Sequence, residues 1–167
     1  MRNVIEARLY RRLLGTCVLV LGTGLAGLAS VANAQTVIDL TQVACQFVES
    51  ENGRDREFVA KRAEDCKAIN AGSGPGRLAE AKPLTLKPGK YVFRVTNKNV
   101  PYELGFWLRE HDYSPANPLH RLRKISVSGG GLERGKTKDY VVELKPGEYV
   151  YSCPLNPTPD YKLIVAN

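Results

Sequence analysis

The sequence predicts an all-β fold, a two-sheet sandwich with one short helix inserted near the start of the mature chain. Three observations predict it. From residue 82 onward, short β-branched and aromatic runs alternate with Gly, Pro and Asn turns. An eight-residue unit occurs twice, as LKPGKYVF at 86–93 and LKPGEYVY at 144–151. Only one stretch, within 56–70, spaces its apolar residues at helical intervals.

The first 34 residues stand apart from this pattern. Arg8, Arg11 and Arg12 form a basic start, LLGTCVLVLGTGLAGLASVA an apolar run, and Ala32-Asn33-Ala34 a small-residue cleavage site. That is a secretory signal, with cleavage expected after Ala34. The glycines of the run and its A-x-A end favour removal over a retained membrane anchor. The expected location is therefore periplasmic or secreted. Removing four of the 24 basic and one of the 17 acidic residues leaves 20 against 16, a net charge of +4. No basic run is interleaved with aromatics, so nucleic acid is excluded as a partner. The remaining residues, 35–167, suit one domain with a single core.

The elements follow in order. TVIDLTQVACQFVE (36–49) reads as a first strand carrying Val37, Leu40 and Val43, and ENGRDRE breaks it. REFVAKRAEDCKAIN (56–70) places Phe58, Val59, Arg62, Ala63 and Cys66 on a helical face that ends near Asn70-Ala71-Gly72. AGSGPG then reads as a flexible hinge, which makes 35–81 a strand, an inserted helix and a linker ahead of the sandwich at 82–167. In each copy of the repeat Pro-Gly supplies a turn, and the run after it is a strand. Tyr91, Phe93 and Val95 share one face of the first such strand; Tyr149, Tyr151 and Cys153 share one face of the second. LGFWLRE and KDYVVELK add further strands, which suggests antiparallel packing. Residues 109–124 form a charged surface loop broken by Pro115 and Pro118.

GGLERGKT (130–137) matches a phosphate-binding loop in spelling. The mechanism requires a helix after it, whose N-terminal amides hold the phosphate. Here the alternating KDYVVEL follows, so the segment is expected to be a turn into a strand and nucleotide is excluded.

LKPGKYVFRVTNKNVPYELGF, GLERGKTKDYVVELKPGEYVYSC and the terminal YKLIV together resemble a cupredoxin domain, the Greek-key β-sandwich of blue-copper proteins. The resemblance covers residues 82–167, about half of the chain. It implies a ligand-bearing loop at one end of the sandwich, with copper the ion such a site would take. A blue-copper site uses one thiolate, two imidazoles and a weak axial thioether. The family usually places its first histidine in Val-Pro-His; here the stretch is Val100-Pro101-Tyr102. The remaining ligands follow there as Cys-x-x-His and a nearby Met; here the loop is Cys153-Pro154-Leu155-Asn156, and Met1 is the only methionine. Cys153 matches, while Tyr102 and Asn156 replace the imidazoles. A neutral amide oxygen is a far poorer copper ligand than imidazole nitrogen. The resemblance thus implies a non-standard or lost copper site built on Cys153, Tyr102 and Asn156. His111 and His120 would join it only if the 109–124 loop crosses that end of the sandwich; otherwise they are solvated beside Asp112 and Arg121.

Cys45, Cys66 and Cys153 follow the signal, and an odd count in an oxidising compartment means one pair and one special thiol, or no pair at all. Cys45 and Cys66 are the favoured pair because both lie outside the cupredoxin-like part; pairing of either with Cys153 is the alternative. The sequence contains no Ser-His-Asp set at useful spacing, no paired-carboxylate loop and no Cys-x-x-Cys. The expected function is that of an exported, non-catalytic module without a resident cofactor, serving a binding or structural role, with a periplasmic protein or a copper ion as its partner. The alternative is a copper-handling or electron-transfer protein that binds the copper ion through Cys153.

Overall fold

The computed structural model describes residues 35–114, 116–122 and 127–167. The secretory signal expected at 1–34 lies outside the described residues. Among those described, the strands form two sheets that face each other across one core. The first has the order β2-β1-β4-β7, from β1 (Thr36–Val43), β2 (Gln46–Phe47), β4 (Gly89–Asn97) and β7 (Thr137–Leu144). The second has the order β3-β9-β8-β5-β6, from β3 (Leu84–Leu86), β5 (Leu104–Glu110), β6 (Val127–Leu132), β8 (Gly147–Ser152) and β9 (Tyr161–Val165). The all-β sandwich expected from the sequence is the fold found. Its pairing is mixed: β1 runs parallel to β4 and β3 parallel to β9, and the other pairs are antiparallel.

Strand alternation divides each sheet into an inner and an outer face. Phe93, Val95, Leu104, Phe106, Leu108, Tyr149, Tyr151 and Leu163 point inward and are buried together. Phe106 stacks on Phe93 at 5.4 Å and meets Phe47 edge-on at 6.1 Å, which joins the two layers. The outer face of the first sheet carries matched rows across three strands: Val37–Val92–Val141, Asp39–Arg94–Asp139 and Thr41–Thr96–Thr137. Such cross-strand pairs hold register, because a one-residue slip would bring the inner aromatics to solvent.

Three local expectations are corrected. The first strand ends at Val43, where Ala44-Cys45 turns the chain into β2 with Cys45 at φ 65°. Its core-facing residues are Ile38, Leu40 and Gln42, spaced by two, whereas Val37 faces outward. The helix begins later than expected and runs through the supposed hinge, as α1 (Ala63–Glu80). Gly72, Gly74, Pro75 and Gly76 are poor helix formers, and tertiary anchors outweigh them. Cys66, Asn70 and Arg77 are each bonded to the sandwich or its loops. Asp65 closes the N-terminus by accepting from the backbone N–H groups of Lys61 and Arg62 at 2.8 and 3.2 Å. The 109–124 segment, finally, contains the last residues of β5 and a five-residue helix, α2 (Pro118–Leu122).

The two Pro-Gly repeats fold alike. Gly89 and Gly147 adopt φ of 156° and 155° at the starts of β4 and β8. Two residues on, Tyr91 donates its hydroxyl to the Lys87 carbonyl at 2.8 Å, and Tyr149 donates to Lys145 at 2.9 Å. Each sheet therefore carries one copy of the same tyrosine-braced corner. In the phosphate-loop look-alike, Gly135 turns the chain at φ 74° and donates to the Asn97 carbonyl, and β7 follows.

Candidate functional site

Cys153 follows β8, so its side chain continues the inward row of Tyr149 and Tyr151. The chain then bends through Pro154, Pro157 and Pro159 before entering β9, and Cys153 N–H donates to Thr158 Oγ1 at 3.0 Å within the bend. Cys153 Sγ accepts two backbone N–H bonds, from Gly105 at 3.3 Å and from Asn156 at 3.2 Å. Burial pushes its thiol above the usual cysteine range, against the smaller opposing effect of these bonds.

Tyr102 reaches the same place from the loop between β4 and β5. Asn97 shapes that loop. Its side chain donates to the Val100, Tyr102 and Leu132 carbonyls at 3.2 Å each and accepts from Val100 N–H at 2.9 Å. The Tyr102 hydroxyl donates to Asn156 Oδ1 at 3.1 Å. Burial raises its phenol pKa to about 12, with Cys153 adding to the effect.

Asn156 is the centre of the arrangement and is fully buried. Its Oδ1 also accepts from Cys45 N–H at 2.9 Å, and its Nδ2 donates to the Val43 carbonyl at 2.9 Å. Cys45 and Cys66 form a disulfide. Cys66 Sγ lies 3.1 Å from Asn156 Oδ1 and 3.7 Å from the Tyr102 hydroxyl. The first of these is a sulfur–oxygen contact, because a disulfide sulfur carries no proton to donate. A polar clasp results, in which one side chain joins the Cys153 loop to the β1–β2 turn and, through the disulfide, to α1.

Tyr102, Cys153 and Asn156 therefore come together, and what lies beside them is the disulfide. His111 lies elsewhere: its N–H bonds the Glu148 carbonyl, five residues back along β8 from Cys153, roughly 17 Å at strand rise. His120 accepts a hydrogen bond from Ser114 N–H at Nδ1, 2.9 Å, and packs its ring 5.9 Å from Tyr113. Among the described residues, no three His, Cys, Asp or Glu side chains are grouped to hold a metal ion. The donor set does not fit copper. Asn156 Oδ1 is engaged by an N–H and an O–H, and the Tyr102 phenol is held protonated.

Sequence reasoning missed a second buried cluster beneath α1. Arg77 donates to Glu51 Oε1 from Nε at 2.9 Å and from Nη2 at 2.5 Å, and to the Cys45 carbonyl at 2.9 Å; it also donates to Asn70. Tyr161 donates its hydroxyl to the same carboxylate oxygen at 2.6 Å, and Arg56 donates to the other at 2.6 Å. Burial alone would push the Glu51 carboxyl up, but the bonds from Arg77, Tyr161 and Arg56 outweigh it and hold the group below its ordinary range. Three consecutive polar residues, Glu49-Ser50-Glu51, gave no sign that the last two are buried.

A groove of about 470 Å³ opens outside the clasp, lined in part by Trp107, Tyr113, Gly130 and Leu155. Its glycines serve packing: a Cβ on Gly105 would meet the Gly129 carbonyl oxygen at 2.7 Å, and one on Gly130 would meet Glu103 at 2.6 Å.

No family model matches the chain, and no curated protein does. Among solved structures, the crystal structure of laccase from Pediococcus acidilactici is similar at 11% identity and a TM-score of 0.36. The similarity covers 99% of this chain and 32% of that one, so the chain spans about a third of the laccase's length.

Proposed function

We propose that residues 35–167 are an exported, non-catalytic cupredoxin-like module with a binding or structural role, whose metal-bearing end has become a metal-free clasp. One observation carries this reading: Asn156, at the family's second histidine position, uses its amide to tie the loop to the β1–β2 turn. An oxygen already accepting from Cys45 and Tyr102 has little to offer a cation. The disulfide is of the kind that persists in oxidising compartments, which supports export. No described helix is long and apolar enough to cross a membrane.

A second reading, copper handling through Cys153, has one observation in its favour. The two N–H bonds to Cys153 Sγ are of the kind that stabilise a thiolate. Anaerobic titration of the oxidised protein with copper separates the two. The clasp reading expects no bound metal and an unchanged spectrum. A saturating thiolate-to-copper absorption band that disappears in Cys153→Ser would overturn it.

A further inference from the structure

Cys153 is far in sequence from Cys45 and Cys66, yet all three touch Asn156. Its backbone N–H bonds Cys153 Sγ at 3.2 Å, and its Oδ1 contacts Cys66 Sγ at 3.1 Å and accepts from Cys45 N–H at 2.9 Å. A single asparagine thus stands between a free thiol and one sulfur of a disulfide. Cys45 and Cys66 are fully buried and Cys153 nearly so. A dissolved thiol has no open approach to this bond, whereas Cys153 is already inside.

From this placement we infer that the three cysteines form an exchange trio, in which Cys66 can change partner from Cys45 to Cys153. The step balances without an external oxidant or reductant. Cys153 gives its proton to solvent, and its thiolate attacks Cys66 Sγ. The Cys153–Cys66 bond forms as the Cys45–Cys66 bond breaks. The electron pair leaves on Cys45 Sγ, which takes up a proton. One disulfide and one thiol stand on each side. Cys66 is the sulfur attacked because it is the one turned toward Asn156 and Tyr102. Burial, which keeps Cys153 protonated, and the intervening Asn156 side chain together hold the resting form.

Exchange would alter which elements are joined. At present the bond ties the β1–β2 turn to α1; afterwards it would tie α1 to the loop before β9 and release Cys45. The exchanged form is a covalent isomer with a different free thiol at the same end of the sandwich. This inference goes beyond the proposed function and does not depend on metal binding.

The test keeps the oxidised protein, dilute and thiol-free, in mildly alkaline buffer without denaturant. At intervals samples are quenched and unfolded in acid, which exposes buried thiols, free thiols are labelled with N-ethylmaleimide, and linkages are mapped by peptide mass spectrometry. We expect label to accumulate on Cys45 together with a Cys66–Cys153 peptide, while far-UV circular dichroism is unchanged. The rate should rise several-fold in Asn156→Ala, which removes the intervening side chain. In Cys45→Ser, diamide should join Cys66 to Cys153 directly. Label confined to Cys153 at every time point in the wild type would overturn the inference. So would a Cys45–Cys153 linkage in place of Cys66–Cys153, or a folded Cys45→Ser protein whose two thiols survive diamide. Should Cys45→Ser fail to fold, the wild-type time course decides.

Discussion

Asn156 is the residue on which the clasp depends. Its amide makes bonds that a methyl group cannot, so Asn156→Ala strands Cys45 N–H and the Val43 carbonyl inside the protein. Each stranded group costs about 1–3 kcal/mol. We expect a loss of about 3 kcal/mol for Asn156→Ala in urea unfolding, against about 1 kcal/mol for Tyr102→Phe, which gives up a single hydroxyl bond. Tyr102 also has a pH signature. Its pKa is raised to about 12 in the folded protein, so the unfolded chain ionises first. Its contribution is complete below the ordinary tyrosine range, pKa ~10, and is lost as pH rises from there through about 12. Tyr102→Phe should accordingly lose less stability than wild type over that interval in pH-dependent unfolding. The meeting of Cys153, Tyr102 and Asn156 was legible in the sequence, because Val-Pro-Tyr and Cys-x-x-Asn stand where a known pattern has its ligands. The partners of Asn156 were not legible. They belong to a turn 111 to 113 residues earlier, and no local periodicity records a contact at that distance.

At the level of elements, α1 is the instructive failure and the Pro-Gly corners the instructive success. Propensity alone ends the helix at Gly72, yet the helix continues to Glu80 because Asn70, before the weak stretch, and Arg77, after it, are both anchored. Such anchoring is tertiary and cannot be read from composition. Removing Arg77 takes away two bonds to Glu51 Oε1 and leaves the buried carboxylate to Arg56 and Tyr161, which puts the cost at about 3 kcal/mol, the low end for breaking a buried pair. Arg77→Met should show that loss in urea unfolding, and the double variant Arg77→Met/Glu51→Gln should recover part of it. The sign with pH follows from the lowered Glu51 pKa. Its stabilisation is present above the ordinary carboxylate range and is lost as pH falls through the folded-state value. Glu51→Gln should therefore start less stable and lose less on acidification, as followed by thermal melts at falling pH. The corners, by contrast, could be read directly, since their geometry is local and spelled twice. With φ near 155° at both glycines, Gly89→Ala and Gly147→Ala should each cost about 1–3 kcal/mol and by similar amounts, measured side by side.

For the whole molecule, the sandwich was legible because its strands carry alternating patterns and explicit turns. The parallel pairings of β1 and β3 were not, since strand direction leaves no mark on alternation. The Cys45–Cys66 bond closes a short loop, with the cysteines 21 positions apart, and chain entropy assigns such a bond roughly 3 kcal/mol. Cys45→Ser/Cys66→Ser should lose about that amount, read as a lower urea midpoint with little change in slope. The positions of the clasp partners along the chain also bear on the order of assembly. Cys45 bonds a residue 111 positions later, Ser50 one 101 later and Glu51 one 110 later. During synthesis from the N-terminus, the segment that carries Cys45 to Glu51 can bond Arg56 and Arg77 early, but it waits for Asn156, Tyr151 and Tyr161 until residues 151–161 have emerged. Until then it is an unfinished seam, and a ribosome-stalled chain ending before Tyr151 should leave it open to protease.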